Sequence, residues 1–162
     1  MIRSGIGFDA HQLKKGLDLY IGGIKVDSDL GSLGHSDGDA LIHAIVDSLL
    51  GAAGMGDIGQ HFPSEQSKWE NVKSEIFLFE AKNILINNGF KISNIDCTII
   101  LQKPKISMYI EPIRNNISTM LDINEKNVSI KATTTDYLGY VGDSKGWSVI
   151  SIATIIDINE KN

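Results

Sequence analysis

Leu41, Ala44, Ile45, Ser48 and Leu49 recur at helical spacing between Ser36 and Ala53, and strand-like runs lie on both sides of that segment. This interleaving of two periods constrains the fold more than any other feature. It excludes an all-helical bundle and an all-β barrel, and 162 residues suit one domain with one core. Ile2 to Asp9 reads as a strand, with Ile6 and Phe8 in apolar alternation. Leu17 to Val26 reads as a hairpin turned at Gly22-Gly23. Ser36 with Asp39 three residues on has the spacing of a capping box, and Gly54 stops the helix. Gly56 to Ser67 reads as an irregular loop. Val72 to Asn88 is expected as a second helix, Ser93 to Leu101 as a β-branched strand, and Ile106 to Leu121 as a third helix. Val128 to Thr133 and Trp147 to Ile158 read as strands, joined by a Gly-punctuated loop. No strict βαβ rhythm runs through the chain. The expected fold is α/β (of the α+β kind): one domain over residues 1–162, a two-layer sandwich whose mixed β-sheet is packed on one side by helices.

With 15 Lys and Arg against 20 Asp and Glu the net charge is −5. That argues against a nucleic-acid partner, which needs surplus cations for phosphates. It leaves room for a small anionic ligand, because a metal can supply positive charge locally. Cys97 is the single cysteine, so no intrachain disulfide forms and a reducing compartment fits. The longest stretch free of charge and His, Gly146 to Ile156, is shorter than the roughly 20 residues a bilayer span needs. A strand-like run from Ile2 leaves no signal or transit peptide, and a bacterial cytoplasmic protein is expected.

Two segments carry metal-ligand chemistry. Asp9 and His11 are i and i+2 at the expected end of the first strand, so they project to one face. His43 follows Asp39 by one helical turn. Asp9, His11 and His43 make a His₂Asp set with an open fourth position, the pattern of catalytic rather than structural zinc. Asp39 can orient a bound imidazole from behind. The alternative is that Ser36 and Asp39 only cap the helix while His43 packs on the core. His35 lies just before the helix, whose first turn suits a phosphate. Three further segments are weaker by themselves: the glycines from Gly51 to Gly59, the Gln102-Lys103-Pro104-Lys105 turn, and the run Thr133-Thr134-Thr135-Asp136, where hydroxyls and a carboxylate suit phosphate and a hard cation.

In combination these residues resemble the 2-C-methyl-D-erythritol 2,4-cyclodiphosphate synthase family. The match rests on Gly7-Phe8-Asp9-Ala10-His11, His35-Ser36-Asp37-Gly38-Asp39 with His43, Leu50-Gly51-Ala52-Ala53, Gly56-Asp57-Ile58-Gly59 with Phe62-Pro63, Ile99-Ile100 with Gln102 and Pro104-Lys105, and Lys131 to Thr135, in the family's order and spacing. The resemblance implies an enzyme that turns 4-diphosphocytidyl-2-C-methyl-D-erythritol 2-phosphate into a cyclic diphosphate and releases CMP. It implies a homotrimer with active sites between subunits. Zinc ligands carry over onto Asp9, His11 and His43. A Mg²⁺ or Mn²⁺ at the diphosphate carries over onto Asp136, where the family usually has Glu. His35 and Thr134 carry over as residues that steady the transition state. Substrate contacts carry over onto Ser36, Asp39, Asp57, Ile58 and Gly59, onto Leu101, Gln102, Lys103, Pro104, Lys105, Ile106 and Ser107, and onto Thr133, Thr135 and Tyr140.

Two segments depart from the pattern. Phe62-Pro63-Ser64-Glu65-Gln66 lacks the family's two carboxylates after Pro. Gly142-Asp143-Ser144-Lys145-Gly146 exchanges the positions of its cation and anion, and Asp143 and Lys145 are expected to pair between subunits. A metal-dependent phosphohydrolase is the rival activity. It requires a water-activating base beside the metal, for which Asp39 is the candidate.

Overall fold

The computed structural model describes residues 1–34, 36–63, 65–69 and 72–159. The first strand, β1 (Ile2–Lys15), is longer than its apolar alternation suggested. Up to Gln12 it pairs antiparallel with β7 (Gly146–Asp157), and from Gln12 to Lys15 it pairs with β4 (Leu30–Leu33). The change of partner at Gln12 lets β1 continue, so Asp9 and His11 lie within the strand rather than at its end. Between β1 and β4 sits the hairpin of β2 (Leu19–Ile21) and β3 (Ile24–Val26). Its turn uses Gly22 and Gly23 at φ 61° and 76°, as the Gly-Gly pair predicted.

The first helix, α1 (Ala40–Ala53), starts later than Ser36. Ser36 has φ 66°, which no helix accommodates, and the cap is Asp39, whose Oδ1 accepts the Ile42 N–H at 3.1 Å. Gly54, in the left-handed region, ends the helix as expected. The segment read as an irregular loop contains a single turn, α2 (Ile58–His61), capped by Asp57. Beyond it lie α3 (Ser74–Asn87), β5 (Phe90–Ile100), α4 (Ile110–Leu121), β6 (Val128–Thr133) and the short α5 (Gly139–Gly142).

The main sheet has the order β4-β1-β7-β5-β6. Only β5 and β6 run parallel, so the sheet is mixed. On the inner face Ile95, Ile99, Val149 and Ala153 meet Leu41, Ile45 and Leu49 of α1, Leu78 and Leu85 of α3, and Ile113 and Ile117 of α4, all fully buried or nearly so. Each Val, Leu or Ile among them contributes about 1.5–3 kcal/mol on burial. Among the described residues no helix covers the outer face of the sheet, which exposes Ile2, Ile6, Phe8, Ile150, Ile152 and Ile156. This is the two-layer sandwich expected from the sequence. Among the described residues no helix is long and apolar enough to cross a membrane.

One contact positions the functional residues. β1 presents Gly5 and Gly7 to α1. A Cβ on Gly7 would lie 1.9 Å from the Ala44 carbonyl oxygen, and one on Gly5 would lie 2.3 Å from the Ser48 carbonyl oxygen. Helix backbone therefore rests directly on strand backbone, and His43 is carried down to the level of Asp9.

Candidate metal centre

Asp9 and His11 leave the inner face of β1, and His43 leaves the first turn of α1. Their donor atoms converge. Asp9 Oδ2 lies 2.9 Å from His11 Nε2 and 3.0 Å from His43 Nδ1, and the two nitrogens are 3.2 Å apart. Among the described residues this is the one group of three or more His, Cys, Asp or Glu side chains that can hold an ion. Tetrahedral ligands at zinc bond lengths stand roughly 3.3 Å from one another, close to all three separations. Mutual hydrogen bonds do not account for the triangle, since two ring N–H groups facing one carboxylate oxygen would also face each other. A cation shared by three lone pairs does account for it, so the residues fit a metal.

The ring orientations agree. His11 Nδ1 is 3.3 Å from the Leu33 carbonyl, which can only accept, so Nδ1 carries the proton and Nε2 is the free donor atom. A side chain on Gly34 would strike this ring at 2.8 Å. His43 presents Nδ1 to the triangle, while its Nε2 is 2.9 Å from Ser74 Oγ. Ser74 Oγ donates in turn to Asp37 Oδ1, and the Ser74 N–H reaches Asp37 Oδ2 at 3.1 Å. In the metal-free protein burial works to raise the Asp9 pKa, but hydrogen bonds from His11 and His43 and their charge outweigh it and hold the carboxyl well below the usual range. Burial works to lower His11, and the hydrogen bond and charge of Asp9 outweigh it, so His11 is raised.

Beside the triangle lies a cavity of about 230 Å³ lined by His11, Ser36, His43, Ile58, Gly59, Phe62, Trp69 and Phe77. It gathers Ser36, Ile58 and Gly59 around the metal site. Asp57 caps α2 by accepting the Gln60 N–H at 2.9 Å, and Asp47 Oδ1 accepts the Ile58 N–H at 2.8 Å, tying α2 to α1. Burial raises the Asp47 pKa. The aromatic wall of Phe62, Trp69 and Phe77, with ring centroids 5.0–5.9 Å apart, had no periodic signal in the sequence. Asp37, Ser74 and Asp47 were also missed, because their contacts span the fold.

Asp39 is a correction. It is completely buried, with Oδ1 on the Ile42 N–H and Oδ2 on the Gly23 N–H at 2.7 Å. Burial pushes its pKa up to about 6. It serves as a helix cap that also anchors the β2–β3 turn, with both oxygens taken by backbone N–H groups rather than by an imidazole. Asp143 is the C-cap of α5, and Lys145 lies just beyond it. They pair with each other at 2.8 Å within one chain, on the surface. His35 lies outside the described residues.

The remaining expected residues lie at the end of β6, on the loops that follow β5 and β6, and on α5. The Leu101 N–H bonds to the Thr133 carbonyl at 3.0 Å and the Tyr137 N–H to Gln102 Oε1 at 3.1 Å, so the two loops form one unit. Leu101 and Ile106 are buried beneath it, whereas Lys103, Lys105, Ser107, Thr133, Thr134, Asp136 and Tyr140 are exposed and Gln102, Pro104 and Thr135 half-buried. Thr133 donates to the Thr134 carbonyl and Thr135 to the Leu138 carbonyl, while Thr134 Oγ1 accepts the Asp136 N–H. Lys103, Pro104 and Lys105 face Lys15, Asp27, Ser28, Asp29 and Leu30 across a broad depression. Asp9 shares a row with Val149, Ile99 and Ala132. Three strand spacings, about 14 Å, therefore separate the metal ligands from the threonine segment within one chain.

A two-layer α/β domain with an open Asp-His-His triangle beside a small, mostly apolar cavity defines a metal-dependent enzyme of small-molecule chemistry. The chain belongs to the YgbB family, whose model matches residues 2–156. The 2-C-methyl-D-erythritol 2,4-cyclodiphosphate synthase of Clostridium novyi (strain NT) is 49% identical over 160 residues, 99% of this chain and 100% of that one. The fold superposes on the bifunctional IspDF from Campylobacter jejuni with a TM-score of 0.93 at 35% identity, covering 99% of this chain and 44% of that longer protein. It superposes on the CDP complex of Plasmodium falciparum IspF with a TM-score of 0.85 at 38% identity, covering 96% of each chain.

Proposed function

We infer that this chain is a phosphorus–oxygen lyase of the non-mevalonate route to isoprenoids. It converts 4-diphosphocytidyl-2-C-methyl-D-erythritol 2-phosphate into 2-C-methyl-D-erythritol 2,4-cyclodiphosphate and releases CMP. The observation that carries this reading is the convergence of Asp9, His11 and His43 beside the cavity holding Ser36, Ile58 and Gly59, in a chain of this family.

In the reaction an oxygen of the 2-phosphate attacks the β-phosphorus, and the bond from that phosphorus to the bridging oxygen of CMP breaks. The attacking phosphate is already an anion, so no strong base is needed. The obstacle is the approach of two anions and the folding of a flexible chain into a ring. Zinc held by Asp9, His11 and His43 supplies a Lewis acid for phosphoryl oxygens. Asp136 offers an exposed carboxylate for Mg²⁺ or Mn²⁺, which commonly takes one or two protein carboxylates and completes its shell with substrate phosphates. Ser36, Asp57, Ile58 and Gly59 hold the methylerythritol part. Gln102 to Ser107 with Thr133, Thr135 and Tyr140 hold the cytidine part, and Thr134 and His35 steady charge developing at the phosphorus. Fixing the reacting groups in this way is worth roughly 7–11 kcal/mol in favourable cases. Phe62, Trp69 and Phe77 form an apolar wall of the cavity beside the metal ligands.

The active unit in this reading is a homotrimer of single domains, residues 1–162, in the bacterial cytoplasm. Two observations support shared sites. The uncovered sheet face carries six large apolar residues, an area of the kind subunits bury. The roughly 14 Å between the zinc ligands and the threonine segment is wide for one chain to close alone, and a neighbour's threonine segment supplies the missing half. The phosphohydrolase alternative lacks its base, since both oxygens of Asp39 are engaged and buried. Turnover in ¹⁸O-labelled water tests the assignment. Cyclisation leaves both products unlabelled, and ¹⁸O in a phosphate product would make the protein a hydrolase.

A further inference from the structure

We propose that Ser74 and Asp37 are positioning residues for the metal site, a hydroxyl and a carboxylate in series that hold His43 with Nδ1 toward the ion. The proposal rests on the metal-centre reading above and adds what sets one ligand's tautomer.

His11 and His43 offer opposite ring nitrogens to the same point. For His11 the choice is made by the Leu33 carbonyl. His43 has no carbonyl behind it. Its Nε2 meets Ser74 Oγ at 2.9 Å, and a hydroxyl can either donate or accept. The neighbour beyond decides which. Ser74 Oγ also lies within hydrogen-bond reach of Asp37 Oδ1, an acceptor, so the single hydroxyl proton goes to Asp37 and the oxygen accepts from His43 Nε2–H. Nδ1 is then the lone-pair nitrogen. Every proton in the series has one acceptor: Nε2–H to Ser74, and Ser74 O–H to Asp37. A carboxylate behind a ligating imidazole also raises its donor strength.

The geometry of the pair is fixed twice over. Asp37 Oδ2 accepts the Ser74 N–H at 3.1 Å, which locks the first residue of α3 onto the loop, and Asp37 Oδ1 accepts the Asp39 N–H at 3.3 Å. Ser74 is fully buried, so water does not replace its hydroxyl. The next residue back from Asp37 is Ser36, which lines the cavity and donates to the Val72 carbonyl. The strip 36–37 thus joins the substrate pocket, the start of α3 and the outer side of one zinc ligand.

The test is zinc affinity, measured by competition with a chromophoric chelator, together with the visible spectrum of the Co²⁺-substituted protein. Ser74→Ala is expected to weaken zinc binding roughly 10- to 100-fold and to alter the cobalt spectrum. Ser74→Thr, which restores a hydroxyl, is expected to recover affinity. The isosteric Asp37→Asn is expected to weaken zinc as well, and the double variant to lose no more than the worse single one, because the residues act in series. Circular dichroism establishes that each variant is folded, and Asp37→Asn carries the test if Ser74→Ala is not. Parental zinc affinity and an unchanged cobalt spectrum in a folded Ser74→Ala or Asp37→Asn protein overturn the proposal. His43→Ala separates the two levels: if it too keeps its zinc, the metal-centre reading is what fails.

Discussion

His11 Nε2 and His43 Nδ1 stand 3.2 Å apart, and each touches the same carboxylate oxygen of Asp9. Two imidazoles from separate elements, aimed by different nitrogens at one point, is an arrangement a cation explains and packing does not. It depends on strand and helix backbones in direct contact, and that contact can be disturbed.

Gly7→Ala places a methyl group 1.9 Å from the Ala44 carbonyl oxygen, inside any allowed contact. Overpacking of this kind costs about 1–3 kcal/mol or more. His43 precedes Ala44 on the displaced helix, so zinc affinity should fall along with stability. Urea denaturation and a zinc titration read the two effects, and unchanged values in both would mean the close approach is not needed.

The pH dependence follows from the two shifted groups. In the metal-free protein the Asp9 pKa lies below its ordinary 3.8, so its stabilisation is present above that value and is lost as pH falls through the folded value. The His11 pKa lies above its ordinary 6.5, so its stabilisation is present below 6.5 and is lost as pH rises through the folded value. The pair therefore supports the metal-free protein most between about pH 4 and 6.5. Zinc reverses the trend, since it must displace the His11 proton. The rise in Tm on adding zinc should grow from pH 6 to pH 8. A zinc-induced rise that stays constant across that interval would contradict the assignment of His11.

Asp39→Ala tests the structural role of that carboxylate as helix cap and turn anchor. Loss of an N-cap costs about 0.5–2 kcal/mol, and here the Gly23 N–H is orphaned as well. Thermal unfolding should register the loss while zinc affinity stays near parental. A collapse of zinc affinity to the level of His43→Ala would restore Asp39 to the metal site.

Phe8→Asp puts a charge on the bare sheet face, opposite Ile150 in the register. Light scattering should report monomers that still bind zinc, because Asp9, His11 and His43 come from one chain. Activity should fall at least 100-fold, an expectation set by a loss of about 2.7 kcal/mol or more in transition-state stabilisation. Fully active monomers would rule out sites shared between subunits.

Much of the metal site was legible because its spacing is local. The strand period put Asp9 and His11 on one face, and the helical run through Leu41 and Leu49 marked the element bearing His43. The helix starts later than its capping-box spacing predicts because Ser36 and Gly38 both take positive φ values. The strand β4 carried no signal, being four residues long with Gly31 in it, so the overrun of β1 that it permits was invisible too. Ser74 and Asp37, 37 residues apart, meet only because α3 folds back over the loop. No period or motif encodes such a contact.

The central claim is intramolecular phosphoryl transfer at the Asp9-His11-His43 centre. Its most direct test is phosphorus NMR of the zinc-loaded protein incubated with 4-diphosphocytidyl-2-C-methyl-D-erythritol 2-phosphate and Mg²⁺. The account predicts that substrate resonances give way to cyclic diphosphate signals and CMP in equal amounts, and that His43→Ala abolishes the change. Inorganic phosphate or an open-chain diphosphate as the product, or full turnover by a zinc-free His43→Ala protein, would contradict it.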